Sequence, residues 1–151
     1  MQDLTEHCIS SQTIASGGML NVKRDQVRLP SGHTSQREYI THPGAVVIVP
    51  ILPNGNVIVE RQFRYPLHQV FIEVPAGKID AGEDILITGK RELLEETGYS
   101  ASEWIKLGHQ HPCIGYSNEV IHMYMARGLS AGAHQRDEDE SLEVFEAPFE
   151  Q

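Results

Sequence analysis

The sequence has little cysteine, no long apolar run and few positive charges, and each shortage removes a class of function. Its 151 residues include only two cysteines, Cys8 and Cys113, too few for a disulfide framework and without metal-ligand spacing. No apolar stretch approaches the roughly 20 residues that cross a bilayer, and the start MQDLTEHCISSQ lacks the basic and apolar parts of a secretory signal. We therefore expect a cytoplasmic protein with no membrane partner.

The charge balance bears on the ligand. The chain carries 12 Lys and Arg against 21 Asp and Glu, a formal net charge of -9. A surface of this sign repels polyanions, so a nucleic-acid partner is not expected. An anionic substrate would need a cation to accompany it.

Most of the chain is predicted to form β-strands in one domain. A polar segment over residues 1–40 contains two short strands around a Pro-Ser-Gly turn, in MLNVKRDQVRLPSG and TSQREYITH. The β-branched runs GAVVIVPIL and NVIVERQF flank Pro53-Asn54-Gly55, which predicts a hairpin between them. Further strands are predicted in VIHMYMARGL and SLEVFEA.

One helix is predicted, in the stretch GKIDAGEDILITGKRELLEETGY. Asp80 can cap its start, with Glu83 three residues later, and Gly98 can supply a left-handed end, so residues 82–97 should be helical. At about 100° per residue, three glutamates share one face and four apolar residues the opposite face. These are Glu92, Glu95 and Glu96 against Leu86, Ile87, Leu93 and Leu94. The leucines should pack and the glutamates face outwards.

The clustered glutamates have two explanations. Like charges three and four residues apart destabilise a helix by about 0.2–0.5 kcal/mol per pair, a cost that a bound divalent cation would remove. A solvated acidic surface is the plainer alternative. Oxygen ligands without clustered Cys or His favour Mg²⁺, with Mn²⁺ as the second choice, over Zn²⁺.

The same segment resembles the Nudix box, G-x5-E-x7-R-E-U-x-E-E-x-G-U, where U is apolar. The fixed positions are filled over residues 77–99, with the aromatic Tyr99 in the last apolar place; they are Gly77, Glu83, Arg91, Glu92, Glu95, Glu96 and Gly98. The wider stretch 37–144, including VIVERQFRYP and FIEVPAGKIDAGE, looks like the ADP-ribose pyrophosphatase branch of the Nudix hydrolases. The resemblance implies an α/β/α sandwich with a mixed sheet and amino-terminal antiparallel strands. It also implies a homodimer, with residues 1–40 as the dimer contact and 41–151 as the hydrolase domain. A protective hairpin without a dimer contact is the alternative for residues 1–40.

The resemblance implies a metal site and a role for each residue. Glu92 and Glu96, assisted by Glu95, would hold Mg²⁺ together with the carbonyl of Ala76. Arg91 would orient the glutamates through Glu83, with a plain surface cation as the alternative. Gly89 would either leave room for substrate or be a tolerated helix defect costing about 1 kcal/mol.

Substrate-binding candidates lie outside the helix. Arg37 and Arg64 can pair bidentately with phosphate oxygens, and Glu73 can accept hydrogen bonds from a base or ribose or be a surface acid. The general base in this branch is usually a loop glutamate after the box. Glu138 and Glu140 in RDEDES are the first choices; Glu119 is the third, and is also a substrate-binding candidate.

The predicted activity is Mg²⁺-dependent hydrolysis of a nucleoside diphosphate sugar, with ADP-ribose giving AMP and ribose 5-phosphate. Other nucleotide sugars, dinucleotides and coenzyme A are alternative substrates. A catalytically silent nucleotide-binding regulator is the alternative of another class. The intact glutamates count against it, because a silent protein has no chemical need to keep three carboxylates together.

Overall fold

The chain forms two compact units. The structure, a computed structural model, describes residues 1–132 and 141–149. The first unit comprises Met1–Pro43 with His111–Val120, and the second comprises Gly44–Gln110 with Ile121–Gln151. The predicted division into 1–40 and 41–151 stays a prediction. Within the described ranges, no helix is long and apolar enough to cross a membrane.

The first unit contains a three-stranded antiparallel sheet. Its strands are β1 (His7–Ser16), β2 (Asn21–Arg28) and β3 (Thr34–Thr41), in the order β1-β2-β3. The predicted turn between the last two strands is present, closed by Leu29 N–H donating to the His33 carbonyl at 2.8 Å. The segment 111–120 joins this unit by a hydrogen bond of 2.8 Å from the Ile40 amide to the Tyr116 carbonyl.

The second unit contains two sheets. A mixed sheet has the order β7-β4-β9-β8, in which β4 pairs antiparallel with β7 and parallel with β9. An antiparallel sheet has the order β10-β5-β6. The strands are β4 (Ala45–Pro50), β5 (Asn56–Arg64), β6 (Gln69–Glu73), β7 (Ala76–Lys78), β8 (Tyr99–Gln110), β9 (Ile121–Ala131) and β10 (Leu142–Pro148). A 3₁₀ turn, Tyr65–Leu67, joins β5 to β6.

The predicted hairpin between the two β-branched runs is wrong. Both runs are strands, but β4 lies in the mixed sheet and β5 in the antiparallel sheet. Beside the turn, the two runs are joined by an isolated bridge between Ile51 and Val57. The Pro-Asn-Gly turn reverses the chain as its residues require. The strands then separate, because β4 takes β7 and β9 as its partners.

The predicted helix is present as α1 (Ile85–Thr97), but its start was misplaced. Asp84, rather than Asp80, is the N-cap, and its side chain accepts hydrogen bonds from the amides of Leu86 and Ile87. Gly82 has a φ of 82°, which no right-handed helix allows, so the chain makes a turn over 80–83 before the helix begins. Gly98 ends the helix in the left-handed conformation, as predicted.

The helix packs on the mixed sheet. Its buried Leu93 joins a core with Val46, Ile48, Tyr124 and Ala126. Along β4 and β9 these sheet residues occupy alternate positions, so they lie on one face of each strand. A mixed sheet covered by a helix, with antiparallel amino-terminal strands, confirms the predicted α/β class; the described ranges contain one α-helix.

The predicted helix faces were wrong in part. Ile87 and Leu94 are 52% and 39% exposed, whereas Glu92 and Glu96 are 9% and 5% exposed. Apolar periodicity assumes that a sheet covers only the apolar face of a helix. Here the strand β7 runs beside α1 and covers the glutamates as well.

Candidate active site

Two carboxylates of α1 converge on the strand that precedes it. Glu96 accepts a hydrogen bond of 3.0 Å from the backbone amide of Ala76. Glu92, one helical turn earlier, lies against Gly77. The two side chains are buried. The sequence predicted both as metal ligands together with Ala76, and the structure brings all three together; the role in metal binding stays a prediction.

Gly77 has a specific steric function at this point. A Cβ built on it would overlap the carboxyl carbon and both carboxylate oxygens of Glu92. The residue is held in β7 opposite Val46, a core residue under the helix. The missing side chain therefore lets a buried carboxylate lie directly on the backbone.

Arg91 contacts three glutamates, Glu83, Glu92 and Glu95, and the four residues form a charged cluster. Its Nε and Nη2 donate to the two carboxylate oxygens of Glu83, at 3.1 and 3.0 Å. Its Nη1 lies 2.9 Å from both Glu95 Oε2 and Glu92 Oε1. A weaker hydrogen bond of 3.4 Å reaches the Lys78 carbonyl. These contacts are those expected of a residue that orients the glutamates.

The pKa values in this cluster move in opposite directions. Hydrogen bonds from Arg91, then from Thr88, lower the pKa of Glu83 from 4.5 to about 2. The bonds to Glu83, followed by Glu95 and the charge of Glu92, raise the pKa of Arg91. Each group stabilises the charged form of the other. Arg91 and Glu83 therefore form a fixed ion pair at neutral pH.

Arg64 and Glu73 form a second ion pair. Arg64 Nε and Nη2 donate to the two oxygens of Glu73, each at 2.8 Å, in a bidentate arrangement. The guanidinium is also within electrostatic reach of Glu60 and Glu96, and these carboxylates raise its pKa after the larger effect of Glu73. Arg64 and Glu73 were both predicted to contact substrate, and that role stays a prediction.

Two other predicted substrate contacts lie in the first unit. Arg37 is paired bidentately with Glu6, through bonds of 2.9 and 2.6 Å. Glu119 Oε1 lies 3.6 Å from His42 Nδ1. Both residues therefore have structural partners within that unit. The two preferred general bases, Glu138 and Glu140, lie outside the described residues.

Gly89 fits neither predicted explanation. It is buried on the sheet side of α1, where an added Cβ would lie 3.2 Å from a Val46 methyl and 3.5 Å from the Trp104 ring. The missing side chain therefore brings the helix close to the sheet. Gly89 therefore does not face a substrate, and its missing side chain has a role in packing.

The carboxylates near Ala76 and Gly77 are possible ligands of a metal ion. Over 1–132 and 141–149, no group of three or more His, Cys, Asp or Glu side chains is already arranged to hold one. Two buried carboxylates and a backbone strand nevertheless converge at Ala76 and Gly77. A hard cation such as Mg²⁺ binds through one or two carboxylates and keeps several waters. The residues present therefore fit such an ion.

Sequence reasoning missed Glu60. This carboxylate is 1% exposed, in β5 opposite Glu73 of β6. The available signal was a charged residue that directly follows the apolar run VIV in a strand. Buried ionised groups are rare without a compensating charge, so such a residue marks a polar site inside the fold.

The chain is similar to several known proteins. Residues 41–151 match the NUDIX domain. The chain is 39% identical over 152 residues to an ADP-ribose pyrophosphatase of Bacillus subtilis (strain 168), covering 99% of this chain and 82% of that protein. It is 39% identical over 150 residues to a methanol dehydrogenase activator of Bacillus methanolicus, with coverages of 97% and 80%.

A solved structure, described as that of an ADP compounds hydrolase, superposes with a TM-score of 0.88. The sequence identity is 23%, and the match covers 99% of this chain and 82% of the other. This likeness concerns the fold. Together with the domain match and the identity over nearly the whole chain, it shows that the protein belongs to the Nudix family, as a pyrophosphohydrolase.

Proposed function

We propose that the protein hydrolyses the pyrophosphate bond of a nucleoside diphosphate sugar, with ADP-ribose giving AMP and ribose 5-phosphate. The observation that carries the proposal is the convergence of Glu92 and Glu96 on the strand at Ala76–Gly77. The similarity to the ADP-ribose pyrophosphatase of Bacillus subtilis supports ADP-ribose as the first substrate to test. In the reaction, water adds to one phosphorus and the bond to the bridging oxygen breaks.

A divalent cation completes the proposal. Glu92 and Glu96 would hold it, with Glu95 and the carbonyl of Ala76 as additional oxygen donors, and Mg²⁺ is the expected ion with Mn²⁺ as a substitute. When bound, such an ion neutralises phosphate oxygens and makes water more acidic. The buried position of both glutamates keeps their oxygens at a fixed place.

The arginines have separate tasks. Arg91 reduces the repulsion between the glutamates and holds their side chains in place, because its donors are shared among Glu83, Glu92 and Glu95. Arg64 is held along one edge by Glu73. The opposite edge of the guanidinium, at Nη1, would then bind a phosphate oxygen. Arg37 is a weaker candidate, since its Nη1 also donates to Ser35 Oγ at 3.1 Å and to the Gln36 carbonyl at 2.9 Å. Glu119 is weaker because its carboxylate lies 3.6 Å from His42 Nδ1.

The proton of the attacking water needs an acceptor. We assign it to a glutamate of the acidic segment before β10, either Glu138 or Glu140. Both belong to the acidic run RDEDES of the sequence and lie outside the described residues. Replacing each by glutamine separately identifies the base, because only one variant should lose most of its turnover.

The test is product release from a panel of substrates. ADP-ribose, another nucleotide sugar, a dinucleotide, coenzyme A and ATP are each incubated with Mg²⁺ or with chelator. Preferred hydrolysis of ADP-ribose that stops in chelator is the expected result. Cleavage of another panel member would keep the chemistry and change the substrate. No cleavage at all would favour a nucleotide-binding regulator, an outcome worth testing since one relative is named an activator.

A substitution tests the carboxylate assignment. Glu96→Gln keeps an oxygen that can accept the hydrogen bond from Ala76 but removes the charge. We expect turnover of ADP-ribose to fall by about 10²–10³-fold, the usual size for losing one group that stabilises the transition state. Affinity for AMP, measured by calorimetry, should be retained. Unchanged turnover in Mg²⁺ would contradict the assignment.

We also propose a homodimer built through the amino-terminal strands and a cytoplasmic location. The support for the dimer is that β1 is an edge strand, exposed over all ten of its residues. An exposed edge offers unpaired backbone groups to another strand.

A further inference from the structure

Glu60 and Glu73 stand directly opposite each other on adjacent strands. They are Cα partners in the β5–β6 pair, so both side chains project from the same face of the sheet. Like charges in this position repel each other. Glu60 is 1% exposed and has little water to reduce that repulsion.

Arg64 supplies the compensating cation. It lies four residues after Glu60 in β5 and therefore on the same face. Its strand partner is Gln69, yet its guanidinium reaches diagonally back to Glu73. The charges of Glu60 and Glu96 also act on it. The guanidinium is therefore bound to one of two carboxylates that stand opposite each other on this face.

Glu73 holds the Arg64 guanidinium in place. Its two hydrogen bonds with the guanidinium are each 2.8 Å long. What Glu60 adds is a negative charge behind a donor that would face phosphate. Because the charge is buried, salt and solvent screen it only weakly.

We propose that Glu60 is a specificity-determining residue, which makes the Arg64 site favour a singly charged bridging phosphate over a doubly charged terminal phosphate. The inference rests on the proposed function and names a substrate class for it, diphosphates esterified at both ends. A terminal phosphate ester carries close to two negative charges at neutral pH, because its second pKa is about 6. The additional charge is repelled by the excess of carboxylates around Arg64.

The test compares two substrates in one variant. Glu60→Gln keeps the shape and removes the charge. We expect the ratio of kcat/KM for ADP-ribose to kcat/KM for ATP, at fixed free Mg²⁺, to fall by about tenfold, a plausible size for one charge at several ångströms. Glu143→Gln is the matched control. It removes one charge from an exposed residue of β10, paired with Arg61 on the other face of the same sheet, and the ratio should not change.

A second variant moves the ratio in the opposite direction. Gln62→Glu adds a carboxylate between Glu60 and Arg64 on the same face, so the preference for ADP-ribose should rise. If Glu60→Gln does not fold, this variant alone tests whether a negative charge near Arg64 sets the substrate preference. Loss of stability alone would lower both rates together and leave the ratio unchanged.

The outcomes separate the two proposals. If the wild-type protein hydrolyses no esterified diphosphate, the proposed function fails. If it hydrolyses ADP-ribose but the folded Glu60→Gln and Gln62→Glu proteins keep the wild-type ratio, the specificity role of Glu60 is wrong and the proposed function stands.

Discussion

Gly77 shows how one absent side chain positions a carboxylate. An alanine there would place its Cβ inside the space of the Glu92 carboxylate. The backbone of β7 and the helix α1 are both held in the fold, so the Glu92 side chain has to move away from the added Cβ. We predict that Gly77→Ala lowers turnover at least tenfold and destabilises the protein by about 1–3 kcal/mol, the usual cost of overpacking.

Turnover and urea unfolding measure these two effects separately. The control is Gly18→Ala, because an added Cβ at Gly18 meets no atom within 4 Å. That variant should behave as the wild type. An active Gly77→Ala enzyme would mean that Glu92 can occupy another position without loss of function.

Glu83 gives a prediction for acid. Its pKa is lowered from 4.5 to about 2 in the folded protein, chiefly by Arg91. The unfolded chain therefore takes up this proton first as the pH falls. The stabilisation is complete above pH 4.5 and is lost progressively between pH 4.5 and about 2.

The Glu83→Gln variant lacks this contribution. Its free energy of unfolding should be lower than that of the wild type at pH 6, and the difference should shrink towards pH 2. Urea unfolding at a series of pH values measures it. A difference that is constant with pH would show that the loss is one of packing rather than of charge.

At the scale of the element, two aspartates near the start of α1 can be compared as helix caps. Asp84 accepts two backbone hydrogen bonds, at 2.9 and 3.1 Å, whereas Asp80 lies in the preceding turn with its side chain 79% exposed. We predict that Asp84→Ala costs about 1 kcal/mol of stability, as expected for an N-cap. Asp80→Ala should cost less than about 0.5 kcal/mol, as at most surface positions. Thermal unfolding of the two variants compares them, and equal losses would contradict the assignment of the cap.

The same element shows what the sequence can and cannot predict. The Nudix spacing located the helix, its glycine end and the carboxylates that meet Ala76 and Gly77. It did not predict that Glu92 and Glu96 are buried, because the periodicity of a helix says nothing about which strand covers its polar face. The partners of β4 were missed as well. A turn is encoded by neighbouring residues, whereas the parallel pairing with β9 depends on residues about 75 positions later.

At the scale of the whole molecule, the proposed dimer gives a measurable mass. If β1 contacts a second copy, a charge on its apolar positions should separate the subunits. Ile9 and Ile14 are 45% and 36% exposed. We predict that Ile14→Lys shifts the mass from light scattering from twice the chain mass to once. A wild-type protein that is monomeric at all concentrations would end the proposal.

Trp104 packs where α1 meets the mixed sheet. It is the sole tryptophan of the chain, and its ring lies at Gly89 of α1 and edge-on to Tyr124, with ring centroids 6.3 Å apart. Its indole Nε1 donates to the Ala101 carbonyl at 3.1 Å. The chain therefore contains a natural fluorophore at the base of the element that carries Glu92 and Glu96. Its emission reports whether that helix is docked, even in variants that no longer turn over any substrate.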